Sequence, residues 1–309
     1  MTKLEATRQE YADWCTAMGI KSMPDLNAAL NEGRGIEFIN LCEARQERKF
    51  AEIADEILWK SRDCKIVMMA GPSSSGKTSS SLRIAQQCKV LGLNPKVIEL
   101  DNYFVDRELT PKDENGEYDF ECLAAMDTEL LNKHLNALLS GEEVEIPTFN
   151  FVEGRKEYNG KMLKLETNDI LMMEGIHALN PKLTAQIDDK LKFKVYVSAL
   201  TQISIDDQNI IHTSDNRLIR RIVRDNNFRG YSALDTLKRW ESVRHGEEQH
   251  IFPFQEEADA MFNSALLYEL ALLKPYAEPL LKRVPENCPE YAEARRLLDF
   301  LEMIEPIDP

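Results

Sequence analysis

A mainly parallel β-sheet covered by helices is the architecture that this 309-residue α/β chain predicts. Short, continuous apolar runs of buried-strand type alternate with helix-like stretches, the pattern of a sheet buried on both faces. A glycine- and serine-rich loop joins the first of these runs to a helix. Three of the runs are followed directly by a glycine or an acidic residue (Gly71, Asp101, Glu174), and such sheets take their ligands at the carboxyl ends of their strands.

Residues 1–62 read as a helical N-terminal appendage. Apolar residues from Leu41 to Trp59 recur at helical spacing between charges. An amphipathic face of this kind packs, either covering one side of the core or forming a partner or oligomer contact. Residues 63–309 form the main domain. Lys65–Ala70 is its first strand. Gly71-Pro-Ser-Ser-Ser-Gly76-Lys77-Thr78 then completes the pattern G-x4-G-K-[ST], and a helix runs from Thr78 to about Gly92. Strand, glycine loop and helix are the context in which this pattern is a phosphate loop, so a P-loop NTPase fold follows. Val97–Leu100 is the second strand, and a polar loop continues through Asp113–Gly116. Thr128–Leu139 is a helix closed by Ser140-Gly141. Val144–Ile146 and Met162–Leu165 suggest a short hairpin, while Ile170–Met173 and Phe193–Val197 are continuous apolar strands. A helical, arginine-bearing lid is expected at about 212–232 and C-terminal helices at about 274–305.

Composition narrows the function. A net charge of −15 argues against a general nucleic-acid binder, which needs a basic footprint. The six cysteines are scattered without a C-x-x-C pair and read as reduced thiols. No apolar run approaches the roughly 18 residues of a membrane span, and the first residues lack an apolar signal segment, so a cytoplasmic location is expected. The histidines (134, 177, 212, 245, 250) show no metal-ligand spacing; His177, three residues after Glu174, is the one near the expected site.

The phosphate loop assigns ATP to Gly71, Ser73, Ser74, Ser75, Gly76, Lys77, Thr78 and Ser79. Backbone amides and the helix N-terminus surround the phosphates, with Lys77 on the β and γ groups. Phosphoryl transfer further requires a metal, a group that handles the acceptor hydroxyl, and cations for the charge in flight. Thr78 and Glu174 are the expected Mg²⁺ ligands. Asp101, at a strand end, is placed to accept the hydroxyl proton. Arg217, Arg220, Arg221 and Arg224 recur at i, i+3, i+4 and i+7, which puts four cations on one helical face. Between Asp215 and Arg244 eight Lys/Arg stand against four Asp/Glu, a local excess of +4 in an acidic chain. That contrast suits a phosphate-clamping lid, which Arg229-Gly230 would hinge or extend. On the acceptor side, Asp119 is placed to bond sugar hydroxyls, Phe149, Phe151 and Tyr118 offer flat faces to a ring, Tyr103 beside Asp101 shapes the substrate pocket, and Arg155 with Lys156 would serve an anionic acceptor.

Taken together, GPSSSGKT, LDNYF, EYDF, PTFNF, MMEGIHALNP and RLIRRIVRD…RG resemble the uridine kinase and phosphoribulokinase superfamily, over roughly Lys65–Leu281. The resemblance is greatest to a bacterial branch of uridine kinase-like nucleoside kinases, whose catalytic part can follow a region related to tRNA-synthetase accessory domains. It implies ATP-dependent, Mg²⁺-assisted phosphorylation of a primary alcohol, the 5′-hydroxyl where the acceptor is uridine or cytidine. Asp101 then matches the family's catalytic aspartate, and Asp119 the aspartate that holds the ribose. Phe149 takes the place of a base-contacting tyrosine in P-x-Y-D-F, Glu174 matches the metal-site glutamate, and Arg217, Arg220 and Arg224 match lid arginines. Asn150 replaces the Asp of that motif, and the following segment lacks the histidine that uridine kinases carry. Two alternatives stand beside this expectation: a kinase for another small alcohol, such as a sugar phosphate or a pantothenate-like acid, and a slowly hydrolysing nucleotide switch that signals through the N-terminal helices.

Overall fold

The computed structural model describes residues 1–112, 116, 118–205 and 211–307. Residues 113–115 of the expected polar loop, Glu117, residues 206–210 and the last two residues lie outside this set. Three helices come first: α1 (Lys3–Ala17), α2 (Met23–Asn31) and α3 (Gly35–Lys60). Capping boxes start the first two, with Thr2 and Glu5 exchanging bonds at α1 and Ser22 and Asp25 at α2. The alternating part follows as β1 (Ile66–Ala70), α4 (Lys77–Val90), β2 (Asn94–Glu99), α5 (Thr128–Leu139), β3 (Val144–Glu145), β4 (Thr148–Asn150), β5 (Arg155–Glu157), β6 (Met162–Leu163), β7 (Asp169–Glu174) and β8 (Lys192–Ser198). The chain continues with α6 (Thr213–Phe228), α7 (Ala233–His250), β9 (Ala260–Asn263), α8 (Glu269–Leu281) and α9 (Tyr291–Glu302).

The main sheet runs β2-β7-β1-β8-β9 with every neighbouring pair parallel, as the apolar runs predict. β1 and β7 are buried along nearly their whole length, which explains their uninterrupted apolar sequence. From β1 the chain crosses to the β2/β7 side and later returns to the β8/β9 side, so the carboxyl end of β1 lies where the strand order reverses. In register, Glu174 stands opposite Met69 of β1 and Glu99 of β2, which brings three strand tips to one edge. The expected hairpin is real: β3 pairs antiparallel with β6. Inside it lies a second hairpin, β4 with β5, that the sequence reading leaves as a turn-rich segment.

The N-terminal helices take the first of their two expected roles and cover one side of the core. Tyr11, Cys15, Leu26 and Phe38 share one apolar core with α6, α8 and α9, and Phe50, Ile53 and Ile57 of α3 pack in the layer under β1 and β8. The expected arginine-bearing helix, α6, is likewise packed on the body. Leu218, Ile219 and Ile222 are wholly buried, and truncating any one of them to Ala should cost about 2–5 kcal/mol. α6 is a wall of the body that turns its basic face toward the sheet edge. α7 and β9 have no counterpart in the sequence reading, and α8 runs through Pro275 and Pro279, held by its buried residues Leu270, Ala271, Ala277 and Leu281.

Candidate active site

The phosphate loop is shaped by two glycines for different reasons. A Cβ on Gly71 would lie 2.0 Å from the carbonyl oxygen of Val197, so β8 leaves no room for a side chain. Gly76 has φ +86°, a left-handed turn into α4 that favours glycine. The first-turn amides of α4 lack intrahelical partners. Ser74 Oγ and Ser75 Oγ are buried without a hydrogen-bond partner. Free amides, orphaned hydroxyls and a helix N-terminus fit a polyphosphate anion. Lys77 Nζ donates to the carbonyls of Gly71 (2.8 Å) and Pro72 (3.2 Å), and burial pushes its pKa down against the pull of Glu174 and Asp101.

Two carboxylates reach this loop from neighbouring strand tips. Thr78 Oγ1 donates to Glu174 Oε1 at 2.6 Å. This pair of hard oxygen donors suits a cation that keeps most of its shell for water and phosphate. Among the described residues no group of three or more His, Cys, Asp or Glu forms a closed metal cage. Asp101 lies in a 3-10 turn (Leu100–Tyr103) that follows β2, and it lines the same cleft. Desolvation, and after it the charge of Glu174, raise its pKa above the ordinary carboxylate value, while Lys77 opposes the shift.

The cleft has a volume of about 710 Å³. Three α6 arginines enter it. Arg220 pairs with Glu269 and reaches the carbonyl of Ser264 at 2.8 Å, and Arg221 Nη1 donates to Ser73 Oγ at 2.6 Å. Arg221 (3.3 Å), Arg224 (2.7 Å) and Arg229 (3.8 Å) share a single buried carboxylate, Asp225. Three guanidiniums on one acid leave positive charge that an incoming phosphate can balance. Burial lowers the pKa of both Arg221 and Arg224. Away from the loop the cleft wall turns aromatic, with Phe104, Phe120, Phe149, Phe151 and Tyr231. Phe149 meets Phe104 and Phe151 edge-on at 5.8 and 5.1 Å.

The sequence model of the Phosphoribulokinase / Uridine kinase family matches residues 66–269. The chain belongs to this family. It is similar to the uridine kinase of Halobacterium salinarum, at 30% identity over 62% of this chain and 76% of that protein. The uridine kinase of Erwinia tasmaniensis is also 30% identical, over 65% of this chain and 87% of its own length. Among solved structures, a possible uridine kinase from Bacillus stearothermophilus aligns at 18% identity and TM-score 0.46, covering 70% of this chain and 98% of that one. The protein is thus a P-loop phosphotransferase that uses ATP to phosphorylate a small molecule. Among the described residues no helix is long and apolar enough to cross a membrane.

Within this family kinase the site expected from sequence is partly redistributed. Ser73, Ser74, Gly76, Lys77, Thr78, Ser79, Asp101, Phe149, Phe151, Glu174, Arg220, Arg221 and Arg224 line one cleft, as expected; Gly71 and Ser75 are buried in the loop beneath it. Arg217 does not line it. Its guanidinium is buried against Glu247 and Ser73 because α6 turns that residue into the body. Tyr103 is wholly buried, its hydroxyl 3.0 Å from His134 Nδ1, and so is a core residue. Asp119 spends Oδ1 on the amides of Glu121 and Cys122, capping a turn, and Glu121 two residues on lines the cleft instead. Burial raises the Glu121 pKa. Arg155 is exposed on β5 outside the cleft, and its neighbour Lys156 is taken by Asp127. Asn150 is likewise spent, accepting from the amides of Val152 and Glu153.

Arg107, Arg239, Glu247 and Ser264 are site residues that the sequence reading does not anticipate. One local signal pointed toward α7, the carrier of two of them: the Ser232–Asp235 capping box. Nothing local marks Arg107 or Ser264. His177 sits behind the cleft with both ring nitrogens buried and unpartnered. Burial first, and His250 second, press its pKa down to about 4.

Proposed function

We propose that the enzyme transfers the γ-phosphate of ATP to a primary hydroxyl, the 5′-hydroxyl of a nucleoside such as uridine or cytidine. The observation that carries this reading is the meeting of Asp101, Lys77 and the Thr78–Glu174 pair in a cleft whose far wall is aromatic. In this reading the loop amides and Lys77 hold the β and γ phosphates, and Asp101 takes the proton of the attacking hydroxyl. Its raised pKa makes it a better proton acceptor than an ordinary carboxylate. Arg220, Arg221 and Arg224 meet the charge on the transferring group. Mg²⁺, held by Thr78 and Glu174, would neutralise phosphate charge. Phe149 and Phe151 present faces on which a base stacks, and stacking tolerates different bases. The relatives named uridine kinase support the nucleoside assignment.

A second reading, a phosphorylated acceptor, rests on two cations. Arg107 and Arg239 line the cleft, and among the described residues neither has a carboxylate within salt-bridge distance. One experiment separates the readings: ADP release and product mass over a panel of nucleosides and sugar phosphates. Acceptor-stimulated release with a nucleoside monophosphate product supports the first reading, and stimulation by sugar phosphates alone supports the second. Slow hydrolysis that ignores every acceptor would sink both and leave the nucleotide switch.

A further inference from the structure

Ser73 forms the shoulder of the phosphate loop, and both of its peptide groups are held by one buried ion pair. Its amide donates to Glu247 Oε1 at 2.8 Å, and its carbonyl accepts from Arg217 Nη1 at 3.0 Å. Glu247 and Arg217 meet in a two-pronged pair, Nη1–Oε1 2.5 Å and Nη2–Oε2 2.7 Å, and each side chain is 1% exposed. Arg244 Nη1 adds a contact of 3.1 Å to Oε2, and the Arg217 guanidinium lies 5.4 Å from the centre of the Trp240 ring. Trp240, Arg244 and Glu247 stand at i, i+4 and i+7, so one face of α7 supplies every part of this clamp except Arg217.

The next residue explains why a clamp belongs here. Ser74 has φ +56° and is the one non-glycine with positive φ among the described residues. Such a backbone persists where its surroundings over-determine it. Rotation of the Ser73–Ser74 peptide would relieve Ser74, and the carbonyl of that peptide is what Arg217 holds. Phosphate loops also gather amide N–H groups whose partial charges repel one another until an anion arrives. Glu247 is an anion supplied by the fold to one of those amides. For stability alone, a buried ion pair does no better than a well-packed apolar pair of equal volume. An apolar pair has no means of orienting two peptide groups.

We propose that Glu247 is a positioning residue: acting with Arg217 on the peptides of Ser73, it keeps the phosphate loop in its anion-binding shape before the nucleotide arrives. The inference rests on the loop being the nucleotide site. The test compares wild type, Glu247→Gln and the double variant Glu247→Leu/Arg217→Met by ATP titration at equilibrium and by Tm. Glu247→Gln strands a buried guanidinium, so Tm falls and ATP binds about tenfold or more weakly. The double variant removes both charges together and regains most of the lost Tm, yet its ATP affinity stays weak. Regained Tm together with wild-type ATP affinity overturns the proposal, because the loop then needs no clamp. Should the double variant stay destabilised, Glu247→Asp decides, since it keeps the charge and withdraws the carboxylate from the Ser73 amide by one methylene. Weakened ATP binding at nearly unchanged Tm supports the clamp, and unchanged binding overturns it. A wild-type protein that itself fails to bind ATP defeats the nucleotide-site reading instead, so the two failures are told apart.

Discussion

At the phosphate end of the cleft, side chains that reach the loop are themselves held from other elements: Arg220 by Glu269, Arg217 by Glu247, and Thr78 by Glu174. At the aromatic end, Phe151 is 60% and Phe120 42% exposed, and the β4–β5 hairpin that carries Phe149 and Phe151 has only three residues per strand. The first end is fixed by partners distant in sequence, the second by short-range turns and edge-on rings. A donor site that handles one triphosphate gains from rigidity, because preorganised dipoles need no rearrangement during transfer. An acceptor site built on a small surface hairpin changes without disturbing the sheet, since loops on a rigid scaffold tolerate variation.

Breaking the rigid end should have the largest effect. Lys77→Ala is expected to weaken ATP binding and to lower turnover about a thousandfold; unchanged isotherms and rates would remove the loop from its role. Asp101→Asn should cut kcat by about 10²–10⁴ with ATP affinity changed less than about twofold, and equal turnover in the two proteins would exclude Asp101 as the proton acceptor. Glu174→Gln should raise the half-saturating Mg²⁺ concentration about 10- to 100-fold. A Mg²⁺ titration that superimposes on wild type would detach Glu174 from the metal. At the aromatic end, Phe151→Ala should raise the acceptor KM about tenfold with the ATP KM unchanged. If both KM values rise together, the two ends are not separable in the way drawn here.

The smallest effect concerns stability behind the cleft. The folded pKa of His177 lies near 4, below its ordinary 6.5, so folding favours the neutral ring. Its contribution is therefore fully present above pH 6.5 and drains away as pH falls toward 4, by on the order of 3 kcal/mol at most. Tm measured across that window should fall less steeply in His177→Phe than in wild type. Parallel curves would show that other groups govern acid sensitivity.

How much of the molecule was legible in advance depended on the range of the interaction. Lys65–Ala70, the loop through Thr78, Glu174 at the end of an apolar run, and the helix Thr128–Leu139 were readable because each is specified by neighbours in the chain. The α5 boundary is an example, with Asp127 capping the amide of Leu130 three residues on. The four arginines of α6 were correctly placed on one face, yet the face did not reveal that Arg217 would turn inward while its neighbours line the cleft. Asp119 and Tyr103 looked like ligand contacts because a carboxylate suits a sugar and an aromatic beside Asp101 suits a pocket wall. In the structure the amides of Glu121 and Cys122 take one oxygen of Asp119, and Tyr103 is buried against the ring of His134.

By itself, then, the sequence determined that a phosphate loop would stand at the edge of a parallel sheet with Asp101 and Glu174 at strand tips, since glycine placement and apolar run length are local properties of the chain. Only the tertiary structure decided which cations face the cleft, that the N-terminal helices complete the core, and that Glu247 meets an amide 174 residues away. Those outcomes depend on which buried charge finds which partner, and burying a charge is tolerable only beside the partner that the whole fold delivers.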